Sequence, residues 1–548
     1  MKNLFLVLKR NFFLFLPFVF IPTLNNSNSL FSILVLCIYI LFVFIGTKNI
    51  QGLQTSISKV FLAFIFYISI HSFIITDYTF INFIGSNTRH YGIFLYFLLF
   101  CLFLFFQSFS NKKFSRIISL NLIIANLLSL IGIAQLFIPE IYGFVDKLNF
   151  FDGKIFSTFM LPNFFGQYLS ISLTLGVYNK LKNSRKYNFI FILPLIAIVL
   201  TRSKVAILAT SLVFLYYLFK RIKGKITKPK IMLLLAPLLS IFVFQEFFHL
   251  SRSVQTRFEI MKSSFSLFLD NLFGINYYGL ESYFPKVINS NHYFLEKNLD
   301  LIYDKSHNFI IDFLLIGGIP SLLFLILIAK LIFDKVQKNS LNFILLIPLI
   351  VISSLSIFSV SSLVLITLIF AIIFSQNLKK INSHIHTVFI LFISLITLFF
   401  SSSFMGHLHF KSYQETQDIK FLEKAVFMNP TNLKANLEVL NFIKEDKLDE
   451  YYIKNKNTFS SQNFVIKRAF LKNKALRGDD VELEIQSLIN QNPNDFKNHL
   501  LLANYYYLKK DFLQANQVFY NLKKDFDITK IQDFQHSKKY LQAFEKFE

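Results

Sequence analysis

Residues 90–116 read HYGIFLYFLLFCLFLFFQSFSNKKFSR. Between Ile93 and Phe106 no side chain is charged, and then Lys112, Lys113 and Arg116 crowd into one short stretch. A hydrocarbon layer of about 30 Å takes about 20 apolar residues to cross as a helix rising 1.5 Å per residue. This run is therefore expected to cross a membrane, and cations gathered at one end mark that end as cytoplasmic. An apolar run followed by a basic cluster is the unit from which the first 400 residues are built.

Working outward, about thirteen such runs follow one another, near 11–24, 29–46, 58–76, 90–109, 117–138, 158–178, 187–201, 204–219, 231–247, 309–333, 341–358, 360–376 and 386–404. One set of connections carries Lys2, Lys9 and Arg10; Lys48 and Lys59; Lys112, Lys113 and Arg116; Lys180, Lys182, Arg185 and Lys186; six cations between Lys220 and Lys230; Lys335 and Lys338; and Lys379 and Lys380. The alternate short connections carry only Arg89, Lys147, Lys154, Arg202 and Lys204. The bias alternates without a break, so the basic set and the N-terminus are expected in the cytoplasm. An odd number of spans then places the C-terminal region outside. No small-residue cleavage site follows Met1–Thr23, which reads as a first helix rather than a removable signal. The expected fold is all-α. A polytopic membrane bundle occupies residues 1–405, a long non-cytoplasmic loop lies at about 248–308, and a helical domain covers 406–548.

Composition agrees. Of the 548 residues 54% are hydrophobic and 16% charged, against about 25% charged in ordinary soluble domains. The net charge of +24 invites a nucleic-acid partner, but the cations sit between apolar blocks and form no basic stripe interleaved with aromatics. Cys37 and Cys101 both lie inside apolar runs, without disulfide or metal-ligand spacing.

The tail carries an internal echo. Asn429-Pro430-Thr431-Asn432-Leu433-Lys434, followed by Leu437, recurs as Asn492-Pro493-Asn494-Asp495-Phe496-Lys497, followed by Leu500. Ala425 precedes the first turn, and Ala503 and Ala515 follow the second at spacings that let paired helices approach closely. The pattern is that of a degenerate tetratricopeptide-like α-solenoid, whose concave face suits a protein or glycan partner.

Polar groups that could do chemistry concentrate in and around the 248–308 loop. His307-Asn308 stands at the entrance to a span that also holds Asp312. A histidine at a membrane surface can accept or relay a proton near neutral pH; its plainer role is an interfacial helix-capping residue. Arg257 offers a fork suited to diphosphate oxygens, where an ordinary loop arginine would simply be solvated. Arg202 and Lys204 occupy a very short outer turn, and Arg89 another. Each could snorkel to the interface, yet all three break the basic-inside pattern. Cations converging on the outer face would suit a polyanionic lipid headgroup, which makes Arg89 a further candidate donor contact.

Together these stretches resemble a family. Ser306-His307-Asn308 followed by Gly317-Gly318-Ile319-Pro320-Ser321-Leu322-Leu323 is similar to the signature of the bacterial O-antigen ligase and polymerase superfamily. So are Arg257 followed by Gly274, Thr201 to Lys204 followed by Ala206, and Phe159-Met160-Leu161-Pro162-Asn163-Phe164 ahead of a span. The resemblance covers about residues 155–330. It implies a metal-independent, inverting glycosyltransferase of the bacterial inner membrane that needs no cofactor. Such an enzyme moves glycan from undecaprenyl diphosphate to lipid A–core or another acceptor at the periplasmic face. By the same resemblance His307 is the essential histidine and Arg257 the loop arginine that engages the diphosphate. The chain departs from the pattern in placing Lys204 where the family's second arginine stands, with Arg202 two residues earlier, and in having no Trp. Glycan polymerisation or transfer to a protein hydroxyl would use the same donor. A transporter or flippase would instead place ionisable groups at mid-membrane, and a scaffold would leave His307 and Arg257 dispensable.

Overall fold

The computed structural model describes residues 11–19, 28–46, 52–74, 79–85, 89–138, 153–159, 161–183, 189–222, 252–288, 292, 303, 305–375, 383–430, 432–442 and 464–526. The expected span at 231–247 lies outside them, as does much of the loop between 289 and 304. Among the described residues all regular structure is helical.

Where the first span is expected, Phe12–Phe18 forms a 3₁₀ helix containing Pro17, a residue that cannot donate a backbone hydrogen bond. There follow α1 (Asn28–Gly46), α2 (Ser56–Ile74), the short α3 (Thr79–Ile84), α4 (Ile93–Gln107), α5 (Asn111–Phe137), α6 (Pro162–Asn183), α7 (Ile192–Leu200) and α8 (Lys204–Ile222). Within the segment expected as a loop, Arg252–Asp270 and Asn276–Val287 are helical and become α9 and α10. The chain continues through α11 (Phe309–Lys338), α12 (Phe343–Leu355), α13 (Val360–Phe374) and α14 (Ser383–Thr416). Helices α1, α2, α5, α11 and α14 are long and apolar enough to cross a membrane, and α4, the Ser340–Leu355 stretch and α13 are shorter apolar helices. Helices are what such sequences must form in lipid, because each backbone polar group then finds its partner within its own segment.

The bundle is organised around α6, on which every residue from Phe165 to Asn179 is buried. Helices α5, α7, α8, α12 and α13 pack around it. Much of the remaining core is phenylalanine. Phe13 meets Phe106 at 4.7 Å between ring centroids and Phe97 meets Phe392 edge-on at the same distance, within the range where aromatic pairs add to simple burial. Phe64 of α2 stacks on Phe313 of α11 at 4.6 Å.

Beyond α14 come α15 (Ile419–Met428), α16 (Leu433–Phe442), α17 (Phe464–Leu476), α18 (Glu482–Gln491), α19 (Phe496–Leu508) and α20 (Phe512–Phe526). The two Asn-Pro turns noted in the sequence share one geometry. Asn429 and Asn492 end α15 and α18 with nearly the same backbone angles. Six residues after each proline a side chain returns to its carbonyl, Asn436 Nδ2 donating to Pro430 O at 2.9 Å and His499 Nε2 to Pro493 O at 2.7 Å. Ala503 and Ala515 are fully buried where α19 packs on α20.

One hydrophobic cluster joins this tail to the rest. Phe496, Leu500 and Ala503 of α19 and Phe519 and Leu522 of α20 share it with Ile260, Leu267 and Phe268 of α9, Leu280 and Phe284 of α10, and Leu314 and Leu315 of α11. The tail and the α9–α10 segment therefore stand on the same side of the bundle.

Candidate functional site

The last turn of α12 holds Arg257 and the residue beside His307. The final carbonyls of a helix lack intrahelical donors and carry the negative end of its dipole. Arg257 Nη1 donates to Leu355 O at 3.0 Å, and Asn308 Nδ2 donates to Ser354 O at 3.3 Å. Since Ser354 and Leu355 are consecutive, the loop arginine and the residue beside His307 are held on neighbouring peptide units. Just beyond, Ser356 Oγ accepts from Gln167 Nε2 of α6 at 2.7 Å, which brings the centre of the bundle to the same point.

His307 sits in a corner built by its neighbours. Its φ of +62° is left-handed, a conformation uncommon for any residue but glycine. Both sides of the corner are tied down. Asn308 caps α11, its side chain accepting from Ile310 N at 3.0 Å and Ile311 N at 3.2 Å. Ser306 Oγ donates to Asn308 O at 2.9 Å, and Ser306 N donates to Asp312 Oδ1 at 2.8 Å. The Asp312 carboxylate, one turn into α11, thus anchors the residue preceding His307. The imidazole is half-buried.

The short outer turn forms beside α6. Thr201 Oγ1 donates to Ile198 O at 2.7 Å and accepts from Ser203 N at 3.1 Å, which closes the chain reversal. Arg202 takes a left-handed φ of +51° and points to the surface, as does Lys204. Gly166 lets the turn approach closely, since a Cβ there would stand 3.0 Å from Ala206, Ser203 and Thr201 atoms. Lys204 lies within electrostatic reach of Arg257 and of Lys154, so three cations from three separate connections face one region. Arg89 is half-buried in the segment between α3 and α4, which Gly92 N closes by donating to Ile84 O at 3.0 Å. The preceding helix, α3, packs on α10.

Gly274 and the Gly317-Gly318 pair explain each other. At Gly317 and Gly318 the backbone of α11 leaves helical geometry, and the turn after α9 fits into the break. Ile275 N donates to Leu315 O at 2.6 Å and Ile319 N to Leu272 O at 3.0 Å. Gly274 has φ +90°, and a Cβ on it would stand 2.5 Å from the Gly318 nitrogen; one on Gly318, φ +66°, would run into the Leu272 carbonyl. Pro320, which has no N–H to lose, follows the break. Helices α9 and α11 thus begin together at the end of α12 and are pinned together again at this crossing.

Residues 189–326 match the model of the O-antigen ligase family. No match was found among curated proteins or among solved structures. The O-antigen ligase match takes in Arg202, Lys204, Arg257, His307 and both glycine sites. Lys154, Gln167 and Ser356 lie outside it, and sequence reasoning left them out of the site as well. Lys154 had one signal available, as one of few cations on its side; the other two look like ordinary polar residues within apolar surroundings.

Proposed function

We propose that this chain is a membrane glycosyltransferase of the O-antigen ligase type, transferring glycan from undecaprenyl diphosphate to lipid A–core at the periplasmic face of the inner membrane. The observation that carries this is the meeting, at the end of α12, of Arg257 and the fixed His307 corner, with the Lys204 cation in electrostatic reach of Arg257, all three residues within the family-matched segment.

An acceptor hydroxyl attacks the anomeric carbon of the lipid-linked sugar from the face opposite the diphosphate. The new C–O bond forms as the bond to phosphate breaks, with inversion, and the electron pair leaves with the polyprenyl diphosphate. His307 takes the hydroxyl proton. Arg257 and Lys204, with Arg202 two residues before Lys204 and Lys154 within electrostatic reach of it, stabilise the charge growing on the diphosphate. Arg89 is a further donor contact, the 406–548 domain is a tetratricopeptide-like solenoid on the periplasmic side, and residues 1–405 form the transferase bundle.

The test uses purified full-length protein in detergent with undecaprenyl-diphosphate-linked glycan and lipid A–core. The expected product is glycan on the core with release of undecaprenyl diphosphate. Donor consumption that instead yields longer lipid-linked glycan would assign a polymerase, and an unchanged donor would overturn the proposal.

A further inference from the structure

Helix α2 lies outside the family match, yet three of its side chains reach the crossing of α9 and α11. Tyr67 OH donates to Gly317 O at 2.7 Å. His71 Nε2 donates to Phe273 O at 2.6 Å, the carbonyl being able only to accept. Ser72 Oγ stands 2.9 Å from Asn276 Oδ1 and 2.8 Å from Ile68 O of its own helix, its one proton shared between these two acceptors; Asn276 holds a left-handed φ of +65°. Tyr67 and His71 are one helical turn apart, and their rings stand 5.6 Å from each other. His71, Ser72 and Asn276 are all buried.

The same helix grips α11 on both sides of its break. Phe64 stacks on Phe313 before it, and Tyr67 meets Phe324 after it at 5.8 Å. At the break itself Leu315 O, Gly317 O and Ile319 N are taken up by Ile275 N, Tyr67 OH and Leu272 O. A broken helix in a membrane stands only if its freed backbone groups find other partners. Helix α2 and the 271–276 turn supply those partners together.

We propose that Tyr67, His71 and Ser72 are positioning residues that lock the α9–α10 turn into the α11 break and thereby set Arg257 against His307. The assignment rests on the transfer reaction proposed above. Its physical basis is leverage. Arg257 lies 13 residues before the end of α9 at Asp270, about 20 Å along a helix. A tilt of about 5° at the turn moves the guanidinium by roughly 1.7 Å, and an error of about 1 Å in a reacting group can lower turnover about 10²-fold. No atom of α2 is required to touch substrate.

The experiment compares His71→Ala, His71→Gln and Tyr67→Phe in the purified full-length protein by two readouts. The first is hydrogen exchange in peptides covering 271–276 and 315–320. Exchange is expected to be at least tenfold faster in His71→Ala and Tyr67→Phe and to return near wild type in His71→Gln, whose amide can donate to the same carbonyl. Unchanged exchange in His71→Ala overturns the clamp, whatever reaction the protein performs. The second readout is turnover. His71→Ala should lower kcat at least tenfold with less than a threefold change in donor KM, while His71→Gln keeps at least a third of wild-type kcat. In an Arg257→Lys background His71→Ala should cost less than threefold, because residues acting through one another are not additive. Equal losses in both backgrounds, or wild-type kcat in His71→Ala, would overturn the positioning role. Wild-type protein that transfers no glycan would refute the proposed reaction and leave the exchange result to judge the clamp.

Discussion

Replacing Gly318 by alanine should be among the most damaging single-methyl changes in this protein, and its size can be worked out from the crossing of α9 and α11. Gly318 has φ +66° and ψ −157°, a region essentially restricted to glycine, so an L-residue costs about 1–3 kcal/mol for conformation alone. The added Cβ also runs into the Leu272 carbonyl and the Phe273 backbone. Backbone atoms cannot swing aside as a side-chain tip would, so the 271–275 turn must lift away. That breaks the Ile275–Leu315 and Ile319–Leu272 hydrogen bonds, each worth about 1 kcal/mol net. The sum is roughly 3–5 kcal/mol. Gly153 provides the control: its φ of +71° is similarly left-handed, but nothing lies within 4 Å of its would-be Cβ, and Gly153→Ala should cost only about 1–2 kcal/mol. The assay is the thermal unfolding midpoint of each purified variant in detergent, followed by turnover per folded molecule. If Gly318→Ala unfolds no earlier than Gly153→Ala, the close-approach reasoning is wrong.

Arg257→Ala should abolish transfer, and Arg257→Lys should keep little of it because lysine lacks the planar fork; the paired change Lys204→Ala with Arg202→Ala should also be inactive. Wild-type kcat in that pair would reduce the turn to an interfacial anchor. A reporter fused after Glu548 and one inserted near Ser290 should give the same periplasmic signal, and a cytoplasmic signal from either would overturn the orientation. Burial pushes the Lys497 ammonium down to about 8 from 10.5, so between those values the unfolded chain binds the extra proton and stability rises with pH. Lys497→Met should therefore raise the unfolding midpoint most below pH 8, with the gain fading toward pH 10.5; a pH-independent gain would contradict the burial argument.

Helix positions were legible because apolar length is a local property. The run at 29–46 lies on α1, and that at 360–376 lies on α13, within two residues at each end. His307, Arg257 and Lys204 were legible as polar residues out of keeping with their surroundings or as parts of a resembling motif. The contacts that assemble them were not. Tyr67, His71 and Ser72 are scattered polar residues in an apolar helix, and their partners lie more than 200 residues away. Nothing local distinguishes them from residues that only bond back to their own helix, as Ser69 does with Ile65; Ser72 itself also bonds back, to Ile68. The glycines at 274, 317 and 318 were visible as motif letters, but a glycine's reason is the atom that would occupy its missing Cβ, and that atom belongs to a distant segment. The link from Arg257 and Asn308 to the end of α12 was hidden for the same cause, since its acceptors are backbone carbonyls, which every residue has.

The most direct measurement is transfer of glycan from undecaprenyl diphosphate to lipid A–core by purified wild type, His307→Ala and His307→Gly, normalised to folded protein. The left-handed φ of +62° at this position makes glycine the substitution that preserves the corner, so the pair separates imidazole chemistry from backbone shape. If His307 takes the acceptor proton, both variants should lose about 10²-fold or more in turnover with little change in donor binding. Turnover of His307→Gly at the wild-type rate would show that only the shape of the corner matters, and would contradict the assignment of His307 to the chemical step.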